Sequence, residues 1–80
     1  MTGQPAGVEA VFGEDGSVEL RRFTWEGIWL DVEGVGRRWE EDGVRCFNVM
    51  AAGARTFVLR LDPGPLRWTV TRGPSRPMVM

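Results

Sequence analysis

Apolar and polar positions alternate along this chain in short runs broken by turn residues, the pattern of an antiparallel β-domain. The clearest run is residues 20–39, where Glu26-Gly27 reads as a two-residue turn between alternating strands. That loop length pairs Trp25 with Ile28, Thr24 with Trp29, Phe23 with Leu30 and Arg22 with Asp31. Because strand side chains alternate, one face then collects the apolar pairs and the other carries Arg22, Thr24, Trp29 and Asp31. Upstream, the apolar parity switches from Val18 and Leu20 to Phe23 and Trp25, which predicts a β-bulge near Arg21-Arg22.

The same pattern predicts further strands over residues 8–12, 44–51, 55–61 and 66–72, with those over 18–25 and 28–32 making six. Turn residues separate them at Gly13-Glu14-Asp15-Gly16, Ala52-Gly53-Ala54 and Asp62-Pro63-Gly64-Pro65. The segment 33–43 reads as a loop on account of Gly34 and Gly36, with a short helical turn near 36–42 as an option. Residues 1–7 read as a disordered leader, residues 8–72 as a single β-domain and residues 73–80 as a C-terminal tail with PxxP spacing. The expected fold class is all-β: a meander of about six strands curled into an SH3- or OB-like barrel or a half-open roll. The expected core is Val18, Leu20, Phe23, Trp25, Ile28, Leu30, Val32, Phe47, Val49, Phe57, Leu59, Leu61, Trp68 and Val70.

Eighty residues make one small domain, and four Trp with four Phe compensate for the limited core of such a chain. One cysteine, Cys46, excludes an internal disulfide and points to a cytoplasmic setting. No apolar run approaches the roughly 20 residues of a membrane span, and the N-terminus lacks the pattern of a signal peptide, so no membrane partner is expected. The net charge of −1 hides an asymmetry. Residues 1–42 hold four arginines against ten acids, and residues 43–80 hold six arginines against Asp62 alone. Either the charges mix over the surface, or the later strands form a basic face suited to an anionic partner.

The chain has no His and no Lys, which removes the usual general base, the usual metal ligand and amine chemistry. Glu40-Glu41-Asp42 lacks the spaced ligands and central glycine of a calcium loop. Gly34-Val35-Gly36 before Arg37-Arg38 lacks the lysine and third glycine of phosphate-binding loops. Cys46 lies in an expected strand with no histidine to activate it. No enzymatic activity, metal or cofactor is therefore expected.

Aromatic residues beside arginine remain as candidates. Trp29 with Arg22, or Trp39 with Arg37 and Arg38, would make a stacking platform for single-stranded nucleic acid if exposed. The competing reading packs Trp29 beneath residues 33–43 and uses Trp39 as a staple on the core. The candidate interaction surface is accordingly Arg22, Trp29, Arg37, Arg38 and Trp39.

The order of Phe23-Thr24-Trp25-Glu26-Gly27, Val32, Trp39, Phe47-Asn48-Val49, Phe57-Val58-Leu59 and Trp68 resembles a family of small uncharacterised bacterial domains, DUF6504-like. Members of that family stand alone or accompany Y-family DNA-polymerase-like proteins. The likeness spans residues 8–72. Glu26 and Asn48 depart from it at positions that are often arginine in the family, which removes positive charge. The resemblance implies a cytoplasmic domain in a DNA-repair neighbourhood and brings no catalytic residues. The leading expectation is a non-enzymatic protein-interaction module, self-associating through an edge strand or the C-terminal tail. The alternative is a nucleic-acid-binding accessory module in a DNA-repair or polymerase context.

Overall fold

Two turns with left-handed backbone fix the strand registers. Glu26 (φ 52°) and Gly27 (φ 81°) form one, and Asp42 (φ 51°) and Gly43 (φ 82°) form the other. Two successive residues at positive φ make the type I′ geometry whose twist matches that of paired strands. The structure is a computed structural model and describes residues 3–73. Its strands are β1 (Gln4–Pro5), β2 (Val8–Phe12), β3 (Val18–Trp25), β4 (Ile28–Asp31), β5 (Gly34–Glu41), β6 (Val44–Ala51), β7 (Arg55–Asp62) and β8 (Arg67–Arg72). A single 3₁₀ turn at Ala52–Ala54 links β6 to β7.

These strands form two antiparallel sheets, one in the order β1-β8-β7-β6-β5 and the other β2-β3-β4. The chain crosses between the sheets at two corners. At the first, the Ala6 N–H donates to the Trp68 carbonyl in the large sheet, while the Gly7 carbonyl accepts from the Thr24 N–H in the small one. At the second, the Val32 N–H donates to Arg21 and the Glu33 N–H to Met50. The ladder does not close into a barrel; the result is a half-open roll. The hairpin pairs are those expected, from Arg22↔Asp31 to Trp25↔Ile28. The bulge is also where the parity switch put it. Glu9 pairs with Arg22 and Ala10 with Leu20, leaving Arg21 as the extra residue.

The core lies between the sheets. Phe23, Phe47, Phe57, Leu59, Val18, Val49 and Val70 are essentially sealed from solvent. Phe57 is its centre, with Phe23 edge-on at 5.1 Å and Trp25 edge-on at 5.2 Å. Arginines close both mouths of the roll. The guanidinium carbons of Arg38 and Arg45 stand 5.9 Å from the Phe47 ring, and those of Arg55 and Arg72 stand 6.0 and 5.3 Å from Phe57. Planar guanidinium groups suit this stacking, since they cover a ring face while their edges stay hydrated. Arg45 and Arg55 sit at opposite ends of the β6–β7 pair.

Three expectations are corrected. The segment 33–43 holds neither a loop nor a helical turn; it is mostly strand β5, paired with β6. Gly34 and Gly36 are accommodated there by a register shift between Val35 and Arg38. Residues 4–5, assigned to the leader, pair with Val70 and Thr69 of β8. Ile28 leaves the expected core and is 63% exposed beside the Glu26-Gly27 turn, while Trp25 opposite it takes the contact with Phe57. Ala51, Cys46 and Val58 are buried instead, the last two on the outer side of the large sheet among neighbouring strands. The PxxP motif and apolar end of the tail lie outside the described residues.

Candidate interaction surface

The outer face of the small sheet carries the first candidate pair. Cross-strand pairing sets Thr24 opposite Trp29 and Arg22 opposite Asp31, all pointing away from the core side occupied by Phe23 and Leu30. The Arg22 guanidinium lies 4.8 Å from the centre of the Trp29 ring. Its Nε also donates to Glu9 Oε1 at 3.2 Å, so an acid from β2 holds the guanidinium over the indole. Trp29 remains 49% exposed. It does not pack beneath residues 33–43. One edge of the indole instead lies over Gly7, where a Cβ would come within 3.4 Å of Trp29 Cη2. The Gly7 N–H donates to Thr24 Oγ1 at 2.8 Å, which fixes this corner under the ring.

The second candidate pair lies on β5. Arg37 stands 5.2 Å from the Trp39 ring. Trp39 is half-buried and pairs across the ladder with Cys46, on the outer face of the large sheet. It therefore acts neither as a core staple nor as a fully open platform. Arg38 points to the opposite face, over Phe47, and its Nη1 donates to the Val18 carbonyl at 3.4 Å. This contact spans the seam between β5 and the start of β3. The five residues picked out from the sequence are thus not one site. Arg22 with Trp29 and Arg37 with Trp39 occupy the two opposite outer faces of the roll, and Arg38 bridges its seam.

Two features of these surfaces were not evident in the sequence. Glu9 was counted only as part of a short strand, yet it positions Arg22. Glu40 and Glu41 were weighed with Asp42 as calcium ligands, yet they continue the same exposed strand as Arg37 and Arg38. The available signal was the order Arg-Arg-Trp-Glu-Glu, whose charges mirror about a tryptophan.

No protein-family model, curated protein or solved structure matches this chain. The DUF6504-like likeness rests on the residues quoted for it. Those residues are placed informatively: Phe23, Phe47, Val49, Phe57 and Leu59 are core, and Gly27 is a turn residue at positive φ. Most of the quoted residues therefore build the fold, while Trp39 lies on the outer face of the large sheet.

Among the described residues, no group of three or more His, Cys, Asp or Glu side chains could hold a metal ion. Burial raises the Cys46 thiol above its ordinary pKa, against the opposing pull of Arg60. A shallow groove of about 190 Å³ runs beside Gly34, Gly36, Asn48 and Met50, where the two glycines leave the sheet surface bare. No described helix is long and apolar enough to cross a membrane.

Proposed function

We propose that this domain is a non-enzymatic protein-interaction module working in the cytoplasm. The observation that carries the reading is apolar surface presented on open sheet edges. Ile28 and Trp29 stand exposed on β4, Val11 and Phe12 on β2, and both strands border the small sheet. Edge strands with exposed apolar side chains are places where a partner chain adds contacts without rearranging the fold. The test is a photo-cross-linking residue introduced at Ile28, with a control in the turn at Glu14. Under native conditions in the source cell, Ile28 is expected to give a reproducible adduct and Glu14 none. Equal, non-specific labelling at both would refute the reading.

The alternative is a nucleic-acid-binding accessory module, favoured by the exposed Trp29 ring stacked by Arg22. Its electrostatics are poor. Glu9 already engages Arg22, Asp31 lies opposite it, and the Arg37–Trp39 pair is on the far face. This alternative requires salt-sensitive quenching of tryptophan fluorescence by a single-stranded oligonucleotide, lost in Trp29→Ala.

A further inference from the structure

We infer that the open edge of β5 binds a second copy of this chain, antiparallel and centred on Trp39, giving a two-fold symmetric dimer. The inference rests on the interaction-module reading and names one partner for it.

Strand β5 is the last strand of the large sheet and pairs only with β6. Hydrogen-bond parity follows from the 42–43 turn. In a two-residue hairpin the flanking residues exchange both backbone bonds, so Glu41 and Val44 form such a pair. Alternation then turns the N–H and C=O of Trp39 towards β6, and those of Arg38 and Glu40 towards the open edge. A second strand must meet outward groups with its own outward groups.

Centring the pair on Trp39 satisfies that condition. Arg38 exchanges both backbone bonds with Glu40 of the second copy, and Glu40 with Arg38 of the second copy. Trp39 then faces its own counterpart in the closer, non-hydrogen-bonded position. Arg37 faces Glu41 of the second copy on the Trp39 side of the sheet, and Glu41 faces Arg37. Every charged side chain from Arg37 to Glu41 meets its opposite. The neighbouring two-fold registers fail, because centring on Arg38 opposes arginine to arginine and centring on Glu40 opposes glutamate to glutamate. Parallel pairing in register likewise sets like charges side by side.

Arg38 gives one guanidinium N–H to the Val18 carbonyl, and its charge, like those of Arg37, Glu40 and Glu41, has no ion-pair partner among the described residues. The ion pairs among the described residues are Arg21–Glu19 and Arg22–Glu9, and neither involves β5. Charged residues on an edge strand ordinarily deter pairing. Here their order deters other strands and other registers while leaving one arrangement favourable, which is how specificity by repulsion works. The paired segment is short, so the dimer is weak and depends on concentration.

Two charge-reversed chains test this: Arg37→Glu with Arg38→Glu, and Glu40→Arg with Glu41→Arg. Sedimentation velocity over a wide concentration range is expected to show a monomer–dimer equilibrium for the natural sequence. Each reversed chain alone should dimerise at least about tenfold more weakly, since all four cross-strand ion pairs become repulsive. An equimolar mixture should recover the dimer, because the two reversed edges complement each other. Amide exchange at Arg38 and Glu40 should slow as the natural chain is concentrated, while that of β4 stays constant. If a reversed chain does not fold, Glu40→Pro serves in its place, since it removes an outward N–H and spares the β6 ladder. A natural chain that stays monomeric throughout overturns the inference and leaves the Ile28 cross-linking result to decide the broader reading. Dimerisation that ignores the charge reversals or Glu40→Pro also overturns it, while keeping self-association through another face.

Discussion

Trp25 and Ile28 face each other across the β3–β4 hairpin on the core side of the small sheet, yet the structure gives them very different energetic weight. Trp25 is half-buried and packs edge-on against Phe57 at a centroid distance of 5.2 Å. Ile28 is 63% exposed. A tryptophan that hides about 120–150 Å² of apolar surface contributes roughly 3–4 kcal/mol at about 25 cal/mol/Å². Trp25→Ala should therefore cost about 3 kcal/mol, with the aromatic contact included and partial collapse of the site subtracted. A domain of this size has in total about 4–12 kcal/mol of stability. Ile28→Ala should cost less than about 0.5 kcal/mol, as for other exposed positions. The assay is urea unfolding followed by far-ultraviolet circular dichroism, which does not depend on the tryptophan removed. With a slope of about 1 kcal/mol/M, the Trp25→Ala midpoint should fall by about 3 M and the Ile28→Ala midpoint by less than about 0.5 M. Equal losses for the two variants, or a loss below about 1 kcal/mol for Trp25→Ala, would refute the placement of the hairpin over Phe57.

Other consequences are open to direct measurement. Glu26 holds φ 52° at the first position of a type I′ turn, where asparagine is favoured, so Glu26→Asn should raise stability by about 0.5–1 kcal/mol in the same urea assay. Leu66 is 75% exposed at φ 54°, and Leu66→Gly should likewise raise the unfolding midpoint by removing left-handed strain that no packing offsets. The Ser17 hydroxyl and N–H bond the Asp15 carboxylate and hold its pKa below the usual value. The native state therefore favours the ionised carboxylate. The resulting stability is present above the ordinary aspartate range and is lost as pH falls through the lowered value; carbon-detected NMR titration should show Asp15 shifting back up in Ser17→Ala. Burial raises the Cys46 pKa, so the folded state favours the neutral thiol. That contribution is intact below the ordinary thiol value and is lost as pH rises beyond it, and Cys46 should react with a thiol reagent only on unfolding.

What the sequence made legible follows from how local each determinant is. Glu26-Gly27 fixes its hairpin by itself, because a two-residue loop admits one register, and all four pairs were readable without knowledge of the rest. The bulge at Arg21 was readable because a parity switch within eight residues has one inexpensive explanation. Strand β5 was not readable in the same way. Gly34 and Gly36 are poor strand formers, and their pairing with β6 depends on the Asp42-Gly43 turn and on burial of Val35 against the core. The turn signal there was present, but it was outweighed by the glycines and the acidic run. Residues 4–5 were missed for a different reason. They pair with β8, more than sixty positions away, and nothing local announces a partner at that separation. The fate of Trp29 also turned on a distant residue, since Gly7 has to be at the sheet corner for the indole to rest over it.

Locality is also why fold emerges from this sequence more readily than function. Residues that build the roll must satisfy backbone geometry and exclude water together, so each one repeats what its neighbours say: Phe23 and Trp25 are aromatic, share one face of their strand and converge on Phe57. A surface has no such redundancy. Arg22 beside Trp29 and Arg37 beside Trp39 look alike in sequence, yet one is clamped by Glu9 and the other flanks an open strand edge. Only the edge gives its charges a mutual constraint, because a strand meeting its own copy must match outward groups and opposite charges at once. Arg37, Arg38, Glu40 and Glu41 satisfy both conditions about Trp39. In the monomer none of the four makes an ion pair among the described residues, although Arg38 also bonds the Val18 carbonyl and covers Phe47. An order of charges that ion pairs within the monomer do not explain, but that pairing with a second copy would, is the strongest functional signal this chain carries.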